Sequence, residues 1–273
     1  MHRTTLIENI KAKNSYLCIG LDTDESKLPP HLKSSSKSIF EFNKQIIDAT
    51  KDQCVSYKMN TAFYEAMGMR GWEAMEQTVN YIPDTHFKIA DAKRGDIGNT
   101  SSQYAKAFFE TLPFDAITVA PYMGEDSIRP FLEYDNKWTI VLGLTSNKGA
   151  GDFELQQMGE QFLYEKVIEK VSSWGNPNNL MFVTGATQAN QLESIRRIIP
   201  DNFLLVPGVG FQGGSLPDVS RYGMIDDIGL LVNVSRAIIF ASDDENFAEE
   251  AKVIAMQYQS EMANLMLERS KTK

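Results

Sequence analysis

The chain has 273 residues, of which 42% are hydrophobic and 23% are charged, a composition that is ordinary for a globular protein with a sizeable core. Its formal net charge of −9 argues against general binding to nucleic acids or membrane surfaces. No apolar run approaches the roughly 18 residues of a membrane span, and no secretion leader opens the chain. We therefore expect a cytoplasmic protein that has neither nucleic acid nor membrane as a partner.

The cysteines and histidines do not suggest a metal centre. Cys18 and Cys54 both lie in apolar runs, which is typical of small core residues in a reducing compartment rather than of a disulfide. The histidines, His2, His31 and His86, are scattered along the chain. Because neither residue type shows a metal-ligand spacing, we predict no metal site.

Secondary-structure elements alternate in a regular order. A short amphipathic helix is predicted at residues 6–10. Short apolar runs then predict strands at residues 16–21, 55–59, 86–90, 116–120, 139–144, 180–184, 203–206 and 229–234. Amphipathic segments predict helices at residues 38–51, 71–81, 100–110, 155–173, 188–199 and 247–268. The connections after the fourth and seventh strands look short, so helices there are less clearly marked.

This alternation predicts parallel βαβ units with right-handed crossovers. Eight repeats favour a closed (β/α)8 TIM barrel, an α/β fold that usually takes about 250 residues. No low-complexity linker divides the chain, so we expect one domain, residues 1–273, with a short N-terminal helix.

A barrel of this kind carries its functional side chains at the C-terminal ends of its strands, and unusual residues lie there. Any one of them could be an ordinary polar residue exposed to solvent at the end of a strand, but their shared location on one predicted face is harder to explain in that way. They are Asp22 after the first strand, Lys58 on the second, Asp91 and Lys93 on the third, residues 145–147 after the fifth, residues 207–210 after the seventh, and Ser235 and Arg236 after the eighth.

The segment D-A-K-R-G-D, residues 91–96, is the most informative of these. Side chains alternate in an extended segment, so Asp91 and Lys93 should point to the same side of the sheet, with Asp96 just beyond. Such a charge cluster is costly to bury and often marks a functional site. The alternative is a weak surface ion pair at a strand end.

Residues 208–213 match the pattern G-x-G-x-x-G, but a dinucleotide site is not indicated. That fingerprint opens a long helix and is followed by an acidic residue about 20 positions later, whereas here Pro217 follows and Asn233 stands at that distance. The pattern favours a loop whose backbone N–H groups approach a phosphate, with Gln212 as a side-chain donor and Arg236 as a charged contact. A plain glycine turn beside a surface arginine is the alternative.

Together these residues resemble the orotidine 5′-phosphate decarboxylase family in its longer bacterial form. The signature D-A-K-R-G-D-I-G at residues 91–98 carries the resemblance, together with residues 20–22, Lys58, residues 145–147, 207–214 and 233–237. It covers essentially the whole chain. The resemblance implies a homodimer that converts orotidine 5′-monophosphate (OMP) to UMP without metal or cofactor, the last step of de novo pyrimidine nucleotide synthesis.

The resemblance also implies catalytic roles. Lys93 would donate a proton to C6 of the pyrimidine as carbon dioxide leaves, and Asp91 would lie against the departing carboxylate and help hold Lys93. Asp96 and Thr100 would reach into the partner subunit's site, and Lys58 would belong to the charged network. A positioned ammonium suits this chemistry because it stabilises the developing carbanion and then supplies the proton.

Substrate-binding roles follow in the same way. Asp22 and Lys58 would hold ribose hydroxyls, Ser146 the pyrimidine edge, and Gln212 and Arg236 the phosphate. Pro207 and Ser235, at the ends of their strands, complete the predicted binding residues. The glycine-containing loop 147–152 could close over the base, although this chain has Lys148 where the longer form usually has proline.

Alternatives remain open from the residues. Sugar-phosphate lyases and synthases that resemble hexulose-phosphate synthase share the D-x-K-x-x-D arrangement, but they need an acidic metal ligand where Lys58 stands and a histidine after the fifth strand. A non-catalytic nucleotide-binding barrel would need the phosphate loop and Arg236 but not the charge cluster. A Schiff-base role for Lys93 is disfavoured because the flanking carboxylates favour its charged form.

Overall fold

The structure is a computed structural model that describes residues 1–33, 35, 37–210 and 213–271. Parallel strands close into a barrel in which β1 pairs with both β2 and β8. The strands are β1 (Leu17–Gly20), β2 (Ser56–Asn60), β3 (Phe87–Arg94), β4 (Ala116–Val119), β5 (Trp138–Leu144), β6 (Leu180–Thr184), β7 (Leu204–Pro207) and β8 (Leu230–Val234). The predicted (β/α)8 barrel is confirmed.

The strands form where the sequence has short apolar runs because a parallel sheet is covered on both faces. Every residue of β1, β4, β6 and β8 is buried. Strand β3 departs from the prediction, because it continues past residue 90 to Arg94 and so includes the charged residues that follow the apolar run.

Helices surround the barrel. They are α1 (Arg3–Lys13), α2 (Ser38–Thr50), α3 (Thr61–Glu65), α4 (Met69–Tyr81), α5 (Gly98–Lys106), α6 (Glu125–Leu132), α7 (Leu163–Ser172), α8 (Leu192–Ile198), α9 (Leu216–Gly223), α10 (Arg236–Ile239) and α11 (Phe247–Lys271). The short helices α6 and α9 fill the connections after β4 and β7. No helix that the structure describes is both long and apolar enough to cross a membrane.

Three predicted helices differ in detail. The predicted helix 155–173 was wrong at its start, because residues 157–162 form an antiparallel hairpin of Gln157–Met158 and Gln161–Phe162. Gly159 at the tip adopts a φ of +71°, which glycine tolerates. The predicted helix 188–199 begins as a 3-10 turn, Ala186–Gln191, and the predicted helix 100–110 ends in a π-helical turn, Ala107–Thr111.

Helix α1 lies across the N-terminal end of the barrel. Its side chains donate to main-chain oxygens in the turns that precede three strands: Asn9 to Thr85, Lys13 to Cys54 and Arg3 to Pro177. Its apolar residues Leu6, Ile7 and Ile10 are buried against the barrel core. Both cysteines are buried and free.

A buried histidine lies beside this helix. His86 is only 2% exposed, and its Nε2 lies 2.8 Å from Lys13 Nζ. The same ammonium donates to the main-chain oxygens of Lys51 at 2.6 Å and Cys54 at 2.8 Å. Burial, and then the charge of Lys13, lower the pKa of His86 to about 4, so the imidazole is neutral at neutral pH.

Candidate active site

A cavity of about 290 Å³ opens at the C-terminal ends of the strands, close to the lower limit of about 300 Å³ for ligand pockets. Its walls are the ends of β1, β2, β3, β5, β6, β7 and β8 and the loops between them. Most of the predicted site residues line it together: Asp22, Lys58, Asp91, Lys93, Ser146, Pro207, Ser235 and Arg236.

Four charged side chains form a row along one wall of this cavity. Lys58 Nζ lies 3.2 Å from Asp22 Oδ1 and 3.1 Å from Asp91 Oδ2. The other carboxylate oxygen of Asp91 accepts from Lys93 Nζ at 2.6 Å. The side chain of Lys58 is 4% exposed and that of Lys93 is 49% exposed, so the row runs from a buried ammonium to one that faces the opening.

Lys58 and Asp91, the two inner members of the row, keep their charges because each lies between two neighbours of opposite charge. Burial opposes the charged form of Lys58, but Asp22 and Asp91 outweigh it and raise its pKa above the ordinary value. Burial likewise opposes the charge on Asp91, but Lys58 and Lys93 overcome it and hold its pKa well below the usual range. An opposite charge within hydrogen-bonding distance has this effect in general.

An irregularity in the sheet sets the geometry of Lys93. The pairing of β3 with β4 shifts register between Ala90 and Arg94, so residues 91–93 lie opposite the single β4 residue Thr118. Lys93 adopts a φ of +48°, in the left-handed region that residues with a Cβ rarely occupy. This is a bulge, a device that redirects side chains next to active sites.

The predicted contact between Asp91 and Lys93 is therefore present, but the reasoning from strand alternation was incomplete. Regular alternation assumes extended backbone at every residue, which Lys93 does not have. The two side chains meet at a bulge in the strand, so the regular alternation of side chains along a strand does not account for their contact.

The loop that carries Ser146 is tied at its base. Both Thr145 N and Thr145 Oγ1 donate to the carboxylate of Glu154, at 2.7 and 2.8 Å. The main-chain oxygen of Glu154 accepts from Tyr164 N at 3.0 Å. Behind the loop, a Cβ added to Gly185 would lie 2.7 Å from the Cβ of Ser146, so only glycine leaves room for this serine.

The loop after β7 folds back on itself. Gly214 N donates to Gly208 O at 3.1 Å, and Gly210 N donates to Gly214 O at 3.1 Å. Gly208 and Gly210 have φ values of +98° and +78°, which glycine accepts readily. The predicted phosphate ligand Gln212 lies outside the described residues.

Ser235 and Arg236, two further predicted binding residues, follow β8. Ser235 Oγ donates to Gly20 O at 3.0 Å, and Arg236 is the first residue of α10. A Cβ on Gly20 would lie 2.7 Å from the Cβ of Ser235, so close packing of β1 against this turn depends on that glycine.

Asp96 and Thr100 do not line the cavity of their own chain. Asp96 Oδ1 accepts from Ile97 N at 2.8 Å, and its main-chain oxygen accepts from Ser101 Oγ. Thr100 is exposed in the first turn of α5. Ile97, between them, is 54% exposed, so this segment presents an apolar side chain at the surface.

The sequence reasoning missed Thr118, Glu154, Gly185 and Asn233 as contributors to the site. Asn233 lines the cavity and donates to Cys18 O at 3.1 Å. A polar residue inside the apolar run of β8 was a readable signal for it. Thr118 acts through contacts with another strand, and Glu154 acts through contacts with Thr145 and Tyr164 at the two ends of its loop, so no local pattern marks either residue.

Comparisons with known proteins agree with this geometry. The model of the "Orotidine 5′-phosphate decarboxylase / HUMPS family" matches residues 15–251. The orotidine 5′-phosphate decarboxylase of Christiangramia forsetii is 59% identical over 263 residues, which cover 95% of this chain and 96% of that protein. The one from Bacteroides fragilis (strain YCH46) is 56% identical over 268 residues, 96% of this chain and 97% of that protein. The solved structure of Leishmania donovani OMP decarboxylase superposes with a TM-score of 0.80 at 36% identity, covering 95% of this chain and 99% of that chain.

Proposed function

This chain belongs to the orotidine 5′-phosphate decarboxylase / HUMPS family, and on that premise we propose how it works. It decarboxylates OMP to UMP in pyrimidine nucleotide synthesis. In our proposal the bond between C6 and the carboxylate breaks, its electron pair stays on C6, and Lys93 Nζ gives C6 a proton. The lysine is then reprotonated from water, so that neither metal nor cofactor takes part.

The observation that carries this proposal is the row of alternating charges. Lys93 is the member that faces the opening, and Asp91 holds its ammonium at 2.6 Å. A fixed ammonium stabilises negative charge as it develops on C6, and little reorganisation is needed at that moment. Asp91, ionised by its two lysines, lies against the substrate carboxylate until that group departs as carbon dioxide.

The remaining lining residues bind the nucleotide. Asp22 and Lys58 hold the ribose hydroxyls, Ser146 the pyrimidine edge and Arg236 the phosphate. Pro207 and Ser235 complete the wall, and Gln212 adds a phosphate contact from the loop after β7. Phosphate binding far from C6 can lower the barrier if its binding energy organises the charged row.

The sugar-phosphate lyase alternative is disfavoured by Lys58. Its ammonium lies between Asp22 and Asp91, where it would repel a divalent cation. The non-catalytic alternative does not explain why Asp91 and Lys93 are kept in contact.

Loss of OMP absorbance in excess EDTA tests the proposal. Wild type should convert OMP to UMP, Lys93→Ala should not, and Lys252→Ala, which removes a half-buried lysine of α11 that does not line the cavity, should behave as wild type. Binding of UMP without turnover would favour the non-catalytic barrel. Activity on sugar phosphates that returns only with magnesium would favour the lyase.

We also propose that the active unit is a homodimer in which Asp96 and Thr100 of each subunit complete the site of the other. Supporting this, neither residue lines its own cavity, and the exposed Ile97 lies between them. Mixing Lys93→Ala with Asp96→Ala subunits should restore about a quarter of wild-type activity, because half of the dimers then hold one complete site. No recovery after demonstrated subunit exchange would refute the shared site.

Two broader proposals accompany this function. Residues 1–273 act as one barrel domain, supported by the closure of all the long strands into one sheet. The enzyme works in the cytoplasm, supported by two buried free thiols of the kind that a reducing compartment preserves.

A further inference from the structure

The bulge in β3 is held by a side chain from the neighbouring strand. Thr118 is fully buried on β4, and its Oγ1 accepts from Lys93 N at 2.9 Å while it donates to Asp91 Oδ1 at 3.0 Å. One hydroxyl therefore joins the backbone of one charged residue to the carboxylate of the other.

We infer that Thr118 is a positioning residue for the decarboxylation, which it serves by fixing Lys93 and Asp91 in their reactive arrangement. The inference rests on the proposed role of Lys93. Thr118 does not line the cavity, so it acts through the two residues that it holds.

The backbone part of this role concerns the left-handed conformation of Lys93. A residue with a Cβ keeps such a conformation only where its surroundings hold it. Residues 91–93 lie opposite a single β4 residue, and it is the Thr118 hydroxyl that meets the Lys93 N–H inside this bulge. Without the hydroxyl, the bulge loses a bond at the residue that carries the reactive ammonium.

The side-chain part concerns the orientation of the Asp91 carboxylate. Its Oδ1 accepts from Thr118 and Lys93, and its Oδ2 accepts from Lys58. Three donors from three strands therefore fix the carboxylate plane. Removal of the Thr118 donor leaves the carboxylate held by the two lysines alone, so the position of the Lys93 ammonium is less firmly fixed.

The chain supplies a matched control for the hydroxyl. Thr139 on the adjacent strand β5 is also fully buried, but its Oγ1 has no hydrogen-bond partner among the described residues. Threonine and valine have the same shape, so Thr118→Val and Thr139→Val remove the same atom type from two buried strand positions. Only the first removal breaks contacts to Asp91 and Lys93.

Steady-state kinetics with OMP test the inference. Loss of a buried hydrogen bond to a charged group should lower kcat of Thr118→Val by about 10- to 100-fold, with KM and the affinity for UMP changed less than about threefold. Thr118→Ser should restore kcat to near the wild-type value, since it returns the hydroxyl. Thr139→Val should match wild type.

The inference would be overturned by a kcat of Thr118→Val within twofold of wild type, or by equal losses of kcat in Thr118→Val and Thr118→Ser. A joint fall of kcat, UMP affinity and Tm would also overturn it, because that pattern marks a purely structural role. If Thr118→Val does not fold, Thr118→Ala compared with Thr139→Ala takes its place.

Lys93→Ala in the same assay separates this inference from the proposed function. Full activity of Lys93→Ala would refute the proposed function itself. An inactive Lys93→Ala beside a fully active Thr118→Val would refute only the role of Thr118.

Discussion

The buried His86 should make the stability of this protein depend on pH. Its pKa is about 4 in the folded protein against an ordinary value of 6.5. Between these two values the unfolded chain binds a proton that the folded chain does not, so the free energy of unfolding falls as pH falls. Each pKa unit corresponds to 1.36 kcal/mol. We therefore expect His86 to contribute roughly 3 kcal/mol above pH 6.5 and to lose this contribution as pH falls through about 4.

Urea unfolding, followed by tryptophan fluorescence at several pH values from 7.5 to 4.5, measures this contribution. His86→Gln keeps polar groups that can meet Lys13 and Thr85 but cannot titrate, so it isolates the effect of His86 from that of the carboxylates. Wild type should lose most of about 3 kcal/mol relative to His86→Gln over this range. His31→Gln, which removes an exposed imidazole, controls for the loss of a histidine as such. Parallel stability curves for wild type and His86→Gln would refute the reasoning.

Two further predictions concern the site. Lys58→Met removes the buried ammonium between Asp22 and Asp91. This substitution should raise the pKa of Asp91, lower kcat at least 100-fold, and lower the free energy of unfolding by about 3–5 kcal/mol. Steady-state kinetics and urea unfolding measure the last two effects. An unchanged kcat would contradict the prediction. Gly185→Ala places a Cβ 2.7 Å from the Cβ of Ser146 and should raise KM for OMP about 5-fold or more, since a displaced polar contact costs at least about 1 kcal/mol. A normal KM would show that Ser146 does not position the substrate.

The strands and the location of the site were accessible from sequence because both depend on local patterns. The apolar runs that became β1 and β6 are buried along their whole length, as a covered parallel strand requires. Once these runs were placed in a barrel, the ends of the strands had to meet at one face. Asp22 and Arg236 are far apart in sequence, yet both line the same cavity.

The bulge at residues 91–93 could not be predicted in this way. It depends on how β3 and β4 align, and that alignment shifts only between Ala90 and Arg94. The hydroxyl of Thr118 that supports it belongs to another strand. The hairpin at residues 157–162 was missed for a different reason: its apolar residues fit a helical period, and the turn depends on the single left-handed residue Gly159.

Glu154 divides the loop after β5, because it holds Thr145 on one side and Tyr164 on the other. The stretches on either side of Glu154, residues 146–153 and 155–163, are each closed by one of these contacts, so we expect changes in their length to leave Thr145 and Tyr164 in place. Doubling the length of such a loop costs only about 0.6 kcal/mol. Lys148 opens a 3-10 turn after an extended Asn147, a position that accepts proline. Exchange of residues here is therefore expected to change the stiffness of this loop, while the charged row, which lies on other strands, keeps its geometry.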